Sequence, residues 1–148
     1  MIAERAMRTL EFDKVRQQVA QFCTSSIGQK AIDEMIPETE FETVVSLLEE
    51  MDEGLSILRI KGNVPMGGIF DIRPHAKRAQ IGGMLSPMEL MEISSTIRAS
   101  RILRNFIEDI EVEGEISIPH FIDRKEQMPV LTGIQHEINS CIDDNAQV

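Results

Sequence analysis

The sequence contains no tryptophan and no tyrosine, and its six phenylalanines stand singly along 148 residues. A stacking platform for single-stranded nucleic acid needs aromatic faces close together, so that mode of binding is excluded. Cysteine is equally scarce. Cys23 and Cys141 cannot form a disulfide framework, and with no secretory pattern at the start they point to reduced thiols in the cytoplasm. No pairing among Cys23, Cys141, His75, His120 and His136 has metal-ligand spacing, and His136 and Cys141 fall on different sides of a helix. No apolar run is long enough to span a membrane. Positive charge is also short. The balance is 25 acidic against 15 basic residues, net −10, which argues against a free-standing nucleic-acid binder.

What is present is unevenly distributed. Residues 1–71 carry 13 acidic and 7 basic side chains, residues 72–107 carry 2 and 6, and residues 108–148 carry 10 and 2. The middle third is a basic island formed by Arg73, Lys77, Arg78, Arg98, Arg101 and Arg104. Two readings are open. The arginines at 98, 101 and 104 share one broad helix side and can dock against the acidic Glu49–Glu53 run, or the six cations can face a phosphate backbone or an acidic partner.

With 42% hydrophobic residues the chain can bury one substantial core. The periodicity predicts an all-α protein, an irregular bundle of about five to seven helices; Ile110–Ile118 alternates around Gly114 and suits either one short β hairpin near 110–118 or an extended loop. Thr9 is the expected N-cap of a first helix carrying Phe12, Val15, Val19 and Phe22. Ser25 or Ser26 caps a second, which Pro37 stops. Thr39 and Glu42 suggest a capping box for a third helix, whose apolar face is Phe41, Val44, Val45, Leu48, Met51, Leu55 and Leu58. Gly54 costs that helix a little stability. Asp71 caps a basic helix over Ile72–Gln80, and Gly82-Gly83 ends it. A final helix carries Leu131, Ile134, Ile138 and Cys141.

The organising element is Ser86–Asp109, opened by Ser86-Pro87-Met88-Glu89. At about 100° per residue, Leu90, Ile93 and Ile97 point one way and Leu103, Phe106 and Ile107 nearly the other. Such a helix must satisfy two different neighbours.

No catalytic, cofactor-binding or metal-binding constellation emerges. The sequence has no nucleophile elbow, HExxH, CxxC or phosphate-binding glycine loop. His75 and His120 have no sequence-local acid partner, and His136, beside Glu137, is expected to face solvent.

Several segments, in this order and spacing, carry a likeness to a known family: Thr9-Leu10-Glu11-Phe12, Ser25-Ser26-Ile27-Gly28, Pro65-Met66-Gly67-Gly68-Ile69, Asp71-Ile72-Arg73-Pro74, Leu85-Ser86-Pro87-Met88-Glu89-Leu90 and Ile97-Arg98-Ala99-Ser100-Arg101. From about Leu10 to Asp144 the chain resembles the start of the bacterial MutS-related paralogue that carries a C-terminal Smr nuclease domain. The resemblance implies a single helical domain over 1–148, the first part of a larger core or lever truncated at its C-terminus. It implies a parent that is an ATPase and endonuclease, using ATP and Mg, active in recombination suppression and in splitting collided ribosomes. The expected partners are the rest of the parent core and its clamp, a second copy in a parent homodimer, and DNA or the ribosome through the parent. Neither Walker nor Smr motifs lie within 1–148, so no enzymatic activity is expected of this chain itself. Ile134, Ile138 and the Asp143-Asp144 tail look like a passage into a further helical section, and exposed apolar surface should favour self-association. The alternative is a self-standing helical module that binds nucleic acid or an acidic protein through 72–107.

Overall fold

The computed structural model describes residues 4–142, which form eight α-helices: α1 (Glu4–Thr9), α2 (Phe12–Ala20), α3 (Ser26–Asp33), α4 (Phe41–Lys61), α5 (Arg73–Gln80), α6 (Pro87–Glu113), α7 (Pro119–Glu126) and α8 (Thr132–Cys141). No strand occurs among the described residues. The Asp143-Asp144 passage lies outside them.

α6 dominates. Ser86 Oγ accepts the Glu89 N–H at 3.4 Å and Glu89 Oε2 accepts the Ser86 N–H at 2.8 Å, so the expected capping box is formed. The helix is longer than predicted, and its extension removes the hairpin expected near 110–118. Residues Ile110–Glu113 remain helical, and Gly114, at φ 66°, closes the last turn by donating its N–H to Ile110 O at 3.1 Å. Ile110 and Ile118, 2% and 1% exposed, are buried because the chain folds back after Gly114, not because they alternate along a strand.

The core is built around that return. Ile57 of α4, Ile107 and Ile110 of α6 and Ile118 bury one another, with Leu103, Phe106 and Phe121 packed around them. The first half of α6 meets other neighbours. Ser94 donates to Asn139 Oδ1 of α8 at 2.6 Å, Ser95 donates to Gly68 O at 3.0 Å, and Thr96 Oγ1 accepts the Phe70 N–H at 3.0 Å. The two halves therefore serve different parts of the molecule.

α7 is short and is held at both ends by charge from other helices. Ile118, at its N-cap position, offers no side-chain acceptor. Glu53 of α4, itself buried, takes that place: its carboxylate accepts the His120 N–H at 3.0 Å and the Phe121 N–H at 3.3 Å. At the other end the Arg104 guanidinium donates to Lys125 O at 2.7 Å and Met128 O at 3.2 Å. Anion at the N-terminus and cation at the C-terminus both match the helix dipole.

Two expected caps are corrected. Thr9 ends α1 and turns its hydroxyl back to Arg5 O at 2.9 Å, while α2 starts after Glu11 in a left-handed conformation, φ 51°. The Thr39–Glu42 box is not formed. Glu38 lies upstream and accepts the Thr39 and Glu40 N–H groups at 2.6 and 3.0 Å, and Glu40 occupies the N-cap position without a side-chain bond. Ser25 does cap α3, accepting the Gly28 N–H at 3.1 Å. Asp71 lies just before α5, which starts at Arg73 with Ile72 at the cap position; the Asp71 carboxylate accepts the Arg73 N–H at 3.3 Å.

α4 packs by an unexpected side. Glu50, Glu53 and Ile57 turn inward, and a Cβ added at Gly54 would sit 3.6 Å from the Phe121 ring. Its apolar stripe is turned to solvent: Phe41 is 77% exposed, Leu48 52% and Met51 55%.

Candidate nucleic-acid or partner contact face

The structure divides the six cations of the basic island into two classes. Arg73 grips Asp71 in bidentate fashion, Nε to Oδ1 and Nη2 to Oδ2 both at 2.6 Å. That guanidinium holds the Asp71 carboxyl down at about 2 and raises the Arg73 pKa in turn. Arg78 reaches Glu89 Oε1 at 2.8 Å. The Glu89 carboxyl is lowered first by the Ser86 backbone N–H, with Arg78 adding to the effect. Arg104 is spent on the end of α7. Lys77, Arg98 and Arg101 are exposed and make no ion pair or side-chain hydrogen bond with the described residues.

The docking of 98, 101 and 104 against Glu49–Glu53 is not what the fold uses. Glu50 pairs with Arg124 of α7 at 2.6 Å, raising the Arg124 pKa, and Glu53 serves His120 and the start of α7. The acidic run faces α7 because that is the helix whose N-terminus needs an anion.

α5 is fixed to the first turns of α6 through His75, whose Nε2 lies 2.8 Å from Glu92 and whose Nδ1 lies 3.4 Å from Glu89. Both are long-range partners that local sequence inspection misses. Lys77 thus belongs to a helix held against the start of α6, and Arg98 and Arg101 lie two to three turns further along α6. Exposed cations on two helices, with carboxylates paired at the α5 end, are suited to salt-dependent contact.

A second cluster went unread in the sequence. His120 Nδ1 lies 2.6 Å from Glu53 Oε1, and its Nε2 lies 3.3 Å from Ser46 Oγ, beside an open cavity of about 500 Å³ lined by Thr43, Glu50, Asp123 and Arg124. Hydrogen bonding to Glu53 raises the His120 pKa. Serine, histidine and glutamate in line resemble a nucleophile relay, but such chemistry also needs donors for an oxyanion. Ser46 sits inside α4, whose backbone donors are consumed, and the first-turn donors of α7 are given to Glu53. The cluster orders α7.

No protein-family model matches the chain. Among curated proteins it is 45% identical over 144 residues to Endonuclease MutS2 of Geobacillus sp. (strain WCH70) and 44% identical over 145 residues to Endonuclease MutS2 of Shouchella clausii (strain KSM-K16). Endonuclease MutS2 of Bacillus cytotoxicus is 41% identical over 145 residues. The chain is homologous to a segment of these MutS2 proteins. The matches cover 97–98% of this chain and 18% of each relative, so the chain spans about a fifth of the MutS2 length. Because nearly every residue is matched, the small helices α1–α3 belong to the MutS2-like segment as much as α4–α8 do. No helix among the described residues is long and apolar enough to cross a membrane.

Proposed function

We propose that this chain is a non-catalytic connecting segment, a lever, of a cytoplasmic MutS-like ATPase that acts on nucleic acid in recombination suppression and in rescue of stalled ribosomes. Its partners on this reading are the remaining core and clamp of the parent, a second copy of the parent, and DNA or the ribosome reached through the parent. ATP and Mg belong to parts of the parent outside 1–148.

The observation that carries this reading is the division of α6. A helix of 27 residues binds α5, α8 and the turn before α5 with its first half, and α4, α7 and the core with its second. An element so placed moves both groups of neighbours when it moves, as transmission of motion requires. Around α7, Glu53, His120, Arg104 and Arg124 are taken up by capping and pairing, which supports the non-catalytic reading.

The exposed Lys77, Arg98 and Arg101 support a second reading, a binding module that meets nucleic acid or an acidic protein through 72–107. One titration separates the two. Purified 1–148 is mixed with duplex DNA or ribosomal RNA over a range of salt, alongside Arg98→Glu/Arg101→Glu, which leaves the α7-capping Arg104 intact. The lever reading expects no binding at physiological salt; salt-dependent binding lost in the double variant establishes the module.

A further inference from the structure

None of residues 5–37 is buried, yet their helices hold together. α1 packs on α2 and α2 on α3, and Arg16 of α2 donates to Asp33 O at the end of α3 at 2.6 Å. The other packed pairs, α4 with α7 and α6 with both α7 and α8, lie wholly within α4–α8. Among the described residues no hydrogen bond or ion pair joins 4–37 to 38–142. Two groups joined by so little move relative to each other unless a large apolar interface holds them.

The joint between them is short. The Met35 N–H donates to Ile32 O at 3.1 Å and so belongs to the end of α3, while the Glu38 carboxylate, on the Thr39 and Glu40 N–H groups, belongs to the start of α4. Ile36 and Pro37 lie between these anchors, and Ile36 is 72% exposed. The Pro37 ring fixes its own φ and holds Ile36 extended, which leaves few dihedrals free to rotate. Such a joint swings as a hinge. One further tie crosses it. Asp71 and Arg73 act chiefly on each other, but Lys30 of α3 adds to the field at Asp71 and Glu34 to the field at Arg73. Each is opposite in sign to the group it acts on, and neither forms an ion pair with it. Lys30 and Glu34 pair with each other at 3.8 Å, both largely exposed, so salt screens their reach towards Asp71 and Arg73.

We propose that α1–α3 is a hinged arm, pivoting at Ile36–Pro37 and latched beside the start of α5 by the matched charges of Lys30–Glu34 and Asp71–Arg73. The hinge goes beyond the lever reading, whose moving element is α6, and stands or falls separately from it.

Spin labels on the whole 1–148 chain test the arm. In a Cys23→Ser/Cys141→Ser background, Gln18→Cys of α2 with Asn105→Cys of α6 reports arm against body, and Asn105→Cys with Glu137→Cys of α8 reports the body alone; all three positions are exposed. Double electron–electron resonance at low salt should give a defined arm–body distance. At about 1 M salt, where the Debye length is about 3 Å, that distance should shift and broaden while the body distance stays sharp. Lys30→Glu/Glu34→Lys keeps the pair within α3 but reverses it towards Asp71–Arg73, and should give the broad distribution already at low salt. Pro37→Gly should broaden the high-salt distribution further by freeing the φ that proline fixes. An arm–body distance that stays sharp at every salt concentration overturns the hinge. A distribution already as broad at low salt as at high, or a charge-reversed variant that behaves as wild type, overturns the latch. A Pro37→Gly variant identical to wild type overturns the placement of the pivot.

Discussion

The segment α1–α3 and the segment α4–α8 have similar amphipathic helices and opposite fates. Val15 and Val19 are 44% and 39% exposed, and neither α2 nor α3 buries a single residue. In α6, by contrast, Ile97, Ala99, Ile107 and Ile110 are all below 9% exposed. The difference lies in what each segment can fold against. α2 and α3 have each other and α1, joined by Arg16, which donates to Asp33 O at the end of α3. They approach the larger segment near the Asp71–Arg73 pair, where Lys30 and Glu34 add to the local field. α6 has four helices and a turn around it. Amphipathicity is a request for a partner, and among the described residues it is met for α6 but not for α2, α3 or the apolar stripe of α4.

The largest expected effect tests whether the core belongs to the second segment alone. Ile110→Ala should cost about 4 kcal/mol, as deletion of a fully buried branched side chain does, while Val15→Ala should cost under about 1 kcal/mol. Chemical denaturation of both variants makes the measurement. Equal losses would mean that α2 is buried as deeply as α6.

Next come the cations. Arg104→Ala should cost about 2 kcal/mol because it removes a charged donor from two carbonyls at the end of α7, and Arg101→Ala, with no partner among the described residues, should stay within about 0.5 kcal/mol. If the two arginines proved equivalent, α7 would not depend on its C-terminal anchor.

These residues show what sequence could and could not convey. Arg98, Arg101 and Arg104 look alike as a series, since spacing reports only the side of the helix. Which of them finds a carbonyl depends on where α7 lies, and that is set by the return at Gly114. Starts at Ser25 and Ser86 were legible because a serine cap and its acceptor bonds are local. Thr39 failed because Glu38, one residue upstream, competes for the same donors with a full charge. The hairpin failed because Ile-Glu-Val-Glu suits either a strand or the last turn of a long helix, and the helix already running from Pro87 decides it. In α6 the second apolar set was legible, since Leu103, Phe106 and Ile107 lie in the core as their spacing implies. The side by which α4 packs was not. Its apolar stripe is the obvious inward face, yet Glu53 is drawn inward by the unsatisfied start of α7, and Ile57 follows one turn later.

Gly54 sharpens the account of that side of α4. Its backbone is helical, and an added Cβ would touch Phe121 at ordinary van der Waals distance, 3.6 Å. Gly54→Ala should therefore stabilise the protein by about 0.5–1 kcal/mol through helix propensity, visible as a raised Tm. A lowered Tm would mean that α7 sits closer to α4 than this contact allows.

The smallest effect is a pH dependence confined to the second segment, because residues 4–33 contain no histidine. Glu53 hydrogen-bonds the His120 ring, and Glu49 and Glu50 add a favourable field, so the folded protein holds the proton more tightly than the unfolded chain does. A histidine whose pKa is raised on folding contributes its full stabilisation below the ordinary value of about 6.5, and that contribution disappears as pH rises through the higher folded value. The Tm should consequently decline on going from slightly acid to slightly alkaline pH. His120→Gln keeps a polar group near Glu53 but does not titrate, and it should flatten this decline while leaving the Val15→Ala and Gly54→Ala effects unchanged. An identical slope in wild type and His120→Gln would mean that the α4–α7 contact does not carry the pH dependence.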